Sequence, residues 1–262
     1  MQEINRIDRE RLAAAKVAGV EVHAELPSTN DRALALAAET PAERLPLLIV
    51  AERQGAGRGR GANQWWAAEG ALTFSLLLDT SAMELPPARW PLASLTAGLA
   101  VCETLDQLAP QAWAGLKWPN DVYLRERKVC GILIEAPPGS ARRLVVGIGI
   151  NVNNRLAGGP DELRSRGTSL AEATGLTFDL TDVLLRVLKQ LDARWRQLAA
   201  GDIDLAEAWQ RWCLLTGRNV QVVAGEQRHI GHCRGIAPDG ALLVHTVYGE
   251  QRIVGGTVAS WE

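Results

Sequence analysis

Two arginines set among glycines give the first chemical clue. Residues 53–60 read Arg53-Gln54-Gly55-Ala56-Gly57-Arg58-Gly59-Arg60 and follow the apolar run Leu47-Leu48-Ile49-Val50-Ala51-Glu52. Glycine has no Cβ, so the backbone there can turn tightly and approach a ligand. The guanidinium forks of Arg58 and Arg60 match phosphate or carboxylate oxygens. The Gly-Lys-Ser/Thr ending of a Walker A loop is missing, and the dinucleotide-binding spacing is not matched. The pattern predicts a mobile cationic loop closing on an anionic, phosphate-bearing ligand.

Three further clusters carry chemistry-bearing types. Lys117-Trp118-Pro119-Asn120-Asp121 offers a point charge for phosphate and, in Asp121, a hard oxygen of the kind Mg²⁺ prefers. An ordinary Asn-Asp turn between strands accounts for the same residues equally well. Arg127-Lys128-Val129-Cys130-Gly131-Ile132-Leu133-Ile134-Glu135 sets a lysine at the mouth of a strand, where it either meets a ligand carboxylate or decorates a hairpin. Val146-Gly147-Ile148-Gly149-Ile150-Asn151-Val152-Asn153 alternates small and apolar residues, so a second layer or a ligand can press against the strand. Asn151 at its end offers an oxygen to a metal or a donor to a phosphate.

Periodicity predicts the elements that hold these groups. Residues 1–18 read as a short helix with Ile4, Ile7 and Leu12 on one face, and Val20–Glu25 as a strand. Ser28 or Thr29 is a good N-cap for the helix that follows. The Leu47 run is a strand; so is Leu72–Leu78, with Leu72, Phe74, Leu76 and Leu78 opposite Thr73 and Ser75. Leu92 to Leu105 is an amphipathic helix. Leu116–Trp118 and Val122–Leu124 are short strands, Arg125–Lys128 is a charged turn, and Val129–Glu135 and Leu144–Ile150 are strands. Leu184 to Leu198 and Leu205 to Leu214 are helical. Beyond Gly217, short strands at Val220–Val223, Ala241–Val247 and Gln251–Val254 alternate with glycine turns, predicting a small SH3-like barrel. The boundary falls near Leu215–Arg218.

Composition narrows the classes. The chain has 262 residues, 47% hydrophobic and 22% charged, with a formal net charge of −2, enough for one sizeable core and without the basic excess of a nucleic-acid binder. Cys102, Cys130, Cys213 and Cys233 are scattered in apolar company, which reads as buried thiols of a reducing compartment. His23, His229, His232 and His245 have no zinc spacing. No signal core or membrane-length apolar run stands out, so the cytoplasm is the expected location. Nine tryptophans against two Phe and two Tyr draw attention to Trp65, Trp66 and Trp118, which lie beside the motifs.

Taken in order, these motifs resemble the biotin protein ligase family. The residues carrying the resemblance are Ser28-Thr29-Asn30, Gln54 with Gly57-Arg58-Gly59-Arg60, Lys117 to Asp121, Lys128 to Leu133 and Gly147 to Val152, with Asp239-Gly240-Ala241-Leu242 and Gly255-Gly256 further on. The resemblance implies an α+β fold: a mixed β-sheet with helices, class II synthetase-like, over 1–214, and an SH3-like barrel over 215–262. It implies activation of biotin by ATP as biotinyl-5′-AMP, then transfer to a lysine of a biotin carboxyl carrier protein, such as the acetyl-CoA carboxylase subunit. Ser28, Thr29, Asn30 and Gln54 are then expected on the ureido ring. Gly57, Arg58, Gly59 and Arg60 are expected over biotin and the adenylate, with Trp65 covering the intermediate and Gly131 and Asn151 lining the site. Lys128 is expected at the carboxylate and phosphate end. Lys117 and Asp121 are left between phosphate, metal and incoming amine, with Mg²⁺ on Asp121 and Asn151. Arg58, Lys117, Lys128 and Asn151 must then ring one cavity.

Gly61-Ala62-Asn63-Gln64 departs from the family's usual further Gly-Arg pair before the tryptophan, so one cationic contact to the adenylate is expected to be lost or replaced. The stretch before Val20 is too short for the helix-turn-helix domain of some members, so no DNA binding is expected. A homodimer through edge strands is left open. Alternatives are a lipoate or octanoate ligase or transferase, whose own Arg-Arg, Gly-Gly-Gly and His-Asp pattern is absent, and a non-catalytic biotin-binding regulator.

Overall fold

The computed structural model describes residues 3–140 and 142–262. Its first unit runs β1 (Gly19–Leu26), α1 (Thr29–Leu36), β2 (Leu47–Gln54), β3 (Ala71–Asp79), α2 (Trp90–Leu108), β4 (Ala114–Lys117), β5 (Asp121–Leu124), β6 (Arg127–Glu135), β7 (Arg143–Asn151), α3 (Asp161–Arg166), α4 (Leu170–Thr174), α5 (Leu180–Ala200) and α6 (Leu205–Gln210). A second run follows: β8 (Asn219–Ala224), β9 (Gln227–Ile236), β10 (Leu242–Thr246), β11 (Gly249–Ile253) and β12 (Thr257–Trp261). The first seven strands form one sheet in the order β1-β2-β3-β7-β6-β5-β4. It is mixed, because β1 and β2 are parallel and the remaining pairs antiparallel. The last five form an antiparallel sheet in the order β11-β10-β9-β8-β12, of SH3-like size.

Alternation along the strands decides what each face of the large sheet does. Leu48, Val50, Leu72, Phe74, Leu76, Val146, Ile148 and Ile150 point to one side and join the buried side chains of α2 and α5 in the main core. The other side carries a small apolar cluster under α1, formed by Ala33, Leu47, Ile49, Leu77 and Val145. Beyond that cluster the same face turns small and polar, with Thr73, Ser75, Gly147, Gly149 and Gly131. The functional groups gather there.

Several local readings need correction. The N-terminal stretch is two 3-10 turns, Glu3–Asn5 and Arg11–Ala14, not one helix; Met1 and Gln2 lie outside the described residues. Asp8 explains this: its carboxylate accepts the N–H groups of Glu10 and Arg11 at 2.9 and 3.2 Å, competing with helical bonding. The last helix before the barrel stops at Gln210, because Trp212 and Leu214 exchange backbone bonds with Leu116 of β4. The strands β9 and β12 and the short helices α3 and α4 carry no clear apolar period; β9 is crowded with Arg228, His229, His232 and Arg234. The β5–β6 turn is only two residues, Arg125 and Glu126, both at positive φ as a tight hairpin requires. Cys102, Cys130 and Cys233 are buried and Cys213 partly so, all as free thiols. Among the described residues no helix is long and apolar enough to cross a membrane.

The main core depends on α5, which is capped by Asp179 accepting the N–H of Asp182 at 2.8 Å. Replacing Asp179 with Ala is expected to cost about 1 kcal/mol, read as a lower urea midpoint at unchanged slope. The half-exposed Asp179–Arg11 pair adds little to that figure.

Candidate functional site

Strand register assembles the site. Thr73 pairs with Gly149, Gly149 with Gly131, Gly131 with Asp121, and Asp121 with Lys117. These residues form one row across four strand boundaries of the small, polar face. The neighbouring row holds Ser75, Gly147 and Leu133. The row shift from Gly147 to Gly131 is two residues along and one strand across, about 8 Å. A trough floored by glycines thus has one end at Gly147 and the other at Asp121 and Lys117.

The Gly147 end is a hydrogen-bonding pocket built on the start of α1. Ser28 caps that helix through the N–H of Asp31 at 3.3 Å, which fixes Thr29 and Asn30 in its first turn. Gln54, at the end of β2, accepts the Thr29 N–H at 2.7 Å and its hydroxyl at 3.1 Å. The Ser75 hydroxyl lies 2.8 Å from Thr29 Oγ1 and 2.6 Å from Asn30 Oδ1. Three oxygen contacts here share only two hydroxyl protons. The pocket is therefore rich in acceptors and suits a ligand that brings N–H donors. Asn30 Nδ2 donates to Glu135 Oε2 at 2.8 Å, so the amide is held from both sides. A Cβ on Gly147 would stand 2.0 Å from Asn30 Oδ1, which is why glycine is required.

The glycine loop folds over the trough as a tight hairpin. Gly59 N–H bonds Asn63 O at 2.8 Å, Trp65 N–H bonds Gly57 O at 2.9 Å, and Asn63 Nδ2 donates to Arg60 O at 2.9 Å. Asn63 thus serves the hairpin itself. The Trp65 indole lies on the glycine floor: a Cβ on Gly149 would come within 2.3 Å of it, and one on Gly131 within 3.4 Å. Its Nε1 is buried without a hydrogen-bond partner.

The two arginines diverge. Arg58 pairs with both oxygens of Glu135 at 3.0 and 2.6 Å and with Asp31 at 2.8 Å, at the pocket end. Hydrogen bonding to Glu135 raises its pKa. Arg60 donates to Asn120 Oδ1 at 3.3 Å and to the Gly256 carbonyl at 3.1 Å, at the charged end.

At that end Lys128 Nζ meets Asp121 Oδ1 at 2.6 Å, and the Lys128 stem passes 3.6 Å from the Cβ position of Gly131, beside Trp65. Lys117 lies next in the row. Burial lowers its pKa; Asp121 opposes the shift, while Lys128 and Arg166 add to it. Two lysines beside one carboxylate leave a local cationic excess suited to an anion.

Not every expected residue joins this cluster. Glu135 sits seven residues from Lys128, roughly 23 Å along β6, so Arg58 does not share the lysine end. Asn151 is buried, donates to Thr168 O at 3.2 Å and accepts from Asn154 at 2.9 Å. Register sets Asn151 and Asp121 roughly 12 Å apart between Cα atoms, and both side chains already have partners. Asp121 and Asn151 do not form one coordination shell, and no cluster of three metal-ligating side chains occurs among the described residues. Ser75, Glu135 and Asp31 enter the site without having been anticipated. For Ser75 the signal was present, as a polar residue on the second face of an otherwise apolar strand.

Comparison with known proteins follows the same stretch of chain. The model of the Biotin/lipoate A/B protein ligase family matches residues 22–153, the span holding the glycine loop and both lysines. The chain is 33% identical over 235 residues to the bifunctional ligase/repressor BirA of Bacillus subtilis, covering 88% of this chain and 70% of that protein. It is 34% identical over 228 residues to the biotin–[acetyl-CoA-carboxylase] ligase of Mycobacterium tuberculosis, covering 86% and 82%. The solved biotin protein ligase of Aquifex aeolicus, in complex with biotin and ATP, superposes with a TM-score of 0.79 at 33% identity over 93% of this chain and 98% of that one. With half its length inside the family model and relatives matched over most of theirs, this chain belongs to the Biotin/lipoate A/B protein ligase family.

Proposed function

We infer that the chain is an ATP-dependent biotin–protein ligase. It activates biotin as biotinyl-5′-AMP and transfers the acyl group to a lysine of a carrier domain of acetyl-CoA carboxylase. The observation that carries this reading is the two-ended trough: an acceptor-rich pocket at Thr29, Asn30 and Ser75, and the lysine pair Lys117 and Lys128 at the opposite end of the glycine floor. Biotin has matching ends, a ring bearing two N–H donors and a carboxylate on a short chain. The names of the relatives support the acceptor, and the Aquifex aeolicus complex supports both substrates.

In the first step the biotin carboxylate oxygen bonds to the α-phosphorus and pyrophosphate leaves. Two anions must approach, so positive charge fixed in advance lowers the barrier. Lys128 supplies it at the carboxylate end by exchanging Asp121 for the ligand. Lys117 supplies it beside the phosphate. Arg58 and Arg60 hold the flap at its two sides, and Trp65 keeps water from the mixed anhydride. In the second step a carrier amine attacks the acyl carbon and AMP departs. Mg²⁺ enters with the nucleotide as its complex. Absence of sequence-specific DNA binding and a cytoplasmic location complete the proposal. The formal net charge of −2, without a basic excess, supports the first, and the free cysteines, of which Cys102, Cys130 and Cys233 are buried, support the second.

The test is pyrophosphate release with MgATP and either biotin or lipoate. Release with biotin and none with lipoate is expected. Release with lipoate alone would overturn the assignment.

A further inference from the structure

The C-terminal sheet reaches the charged end of the trough through a side chain outside every motif. Trp261 of β12 turns its ring to Lys117, whose Nζ lies 4.4 Å from the ring centroid. Tyr123 of β5 meets the same indole edge-on, with centroids 5.8 Å apart and planes at 88°. The indole is thus fixed from a second side. Its strand is fastened as well: Trp261 pairs with Val220, and Glu262 exchanges both backbone bonds with Asn219 at 3.0 and 3.1 Å.

Lys117 needs such a restraint. Its ammonium rides on a long flexible stem. The carboxylate across the strand pair, Asp121, is already held by Lys128 at 2.6 Å. The aromatic face is therefore what fixes the ammonium.

We propose that Trp261 is a positioning residue for Lys117, its indole face holding the ammonium where the nucleotide phosphates are met. This rests on the ligase reading of the same site. The negative face of an indole attracts a cation, most strongly when the pair is partly desolvated. Leucine would fill much of the space without that attraction; phenylalanine would keep a weaker form of it. The last strand of the chain thereby becomes part of the machinery for the first chemical step.

A double-mutant cycle tests this on the full chain, with Trp261→Leu, Lys117→Met, the pair together, and Trp261→Phe as the conservative change. The readouts are biotin-dependent pyrophosphate release with MgATP, and calorimetric biotin affinity without nucleotide. Trp261→Leu is expected to slow release ~3- to 30-fold, and Trp261→Phe by no more than about threefold. Biotin affinity should stay within about twofold, because the ring pocket is at the other end. In the Lys117→Met background Trp261→Leu should cause no further loss. The proposal is overturned if the Leu and Phe variants behave alike, if biotin affinity falls with turnover, or if the two losses multiply. Should the leucine variant fail to fold, the cycle is run with phenylalanine, whose smaller loss must vanish when Lys117 is absent. A wild-type chain without biotin-dependent release would sink the ligase reading instead.

Discussion

Lys128→Ala should lower the rate of biotinyl-adenylate formation by at least about 10²-fold, the scale seen when one preorganised electrostatic contact is removed from a reacting oxyanion. Two effects add. The ammonium beside Gly131 is lost, and its partner Asp121, 2.6 Å away in the wild type, becomes an unscreened anion facing two anionic substrates. Asp121→Asn in the Lys128→Ala background should therefore restore part of the rate, while Asp121→Asn alone should not exceed wild type. Single-turnover pyrophosphate release at saturating biotin and MgATP measures this. A Lys128→Ala enzyme that turns over normally would remove Lys128 from the mechanism.

Gly147→Ala should abolish useful biotin binding, with a loss of at least about 10²-fold in affinity. The added Cβ would stand 2.0 Å from Asn30 Oδ1 and 2.7 Å from Asn30 Cγ. Asn30 cannot step aside cheaply, since Ser75 and Glu135 hold its two ends. Breaking that buried network costs more than one hydrogen bond. Calorimetric titration with biotin is the measurement. Gly158→Ala, where nothing lies within 4 Å of the new Cβ, is the control and should bind normally.

The parts of the fold legible in sequence were those where one strong period acts alone. Leu72–Leu78 alternates cleanly because one face meets the main core, and the stripe from Leu184 to Leu198 marks α5 because that helix buries a single side. The strand β9 was hidden by its own charge: with Arg228, His229, His232 and Arg234 in ten residues, pairing with β8 and β10 defines it, not burial. The N-terminal helix failed for the opposite reason, since a plausible period was overruled by one aspartate capping its own turn.

At the site, residue types were readable and partners were not. Thr29, Asn30 and Gln54 converge as a local motif suggests, because a helix start and a strand end meet there. The separation of Arg58 from Lys128 could not be read, because it depends on Glu135 lying seven residues further along the same strand. Asn151 looked like an available ligand at a strand end, yet the fold closes Thr168 and Asn154 around it.

Arg60 grips the carbonyl of Gly256, not a side chain. A carbonyl is common to all twenty residues, so this contact asks nothing of the chemistry at position 256, only that the main chain pass there. That path needs glycine, because φ is +146° and a Cβ would lie 2.5 Å from the Val223 carbonyl. Domain-swapped chimeras with relatives should therefore retain the grip when they inherit a glycine at that bend, however far the rest of the grafted segment has drifted.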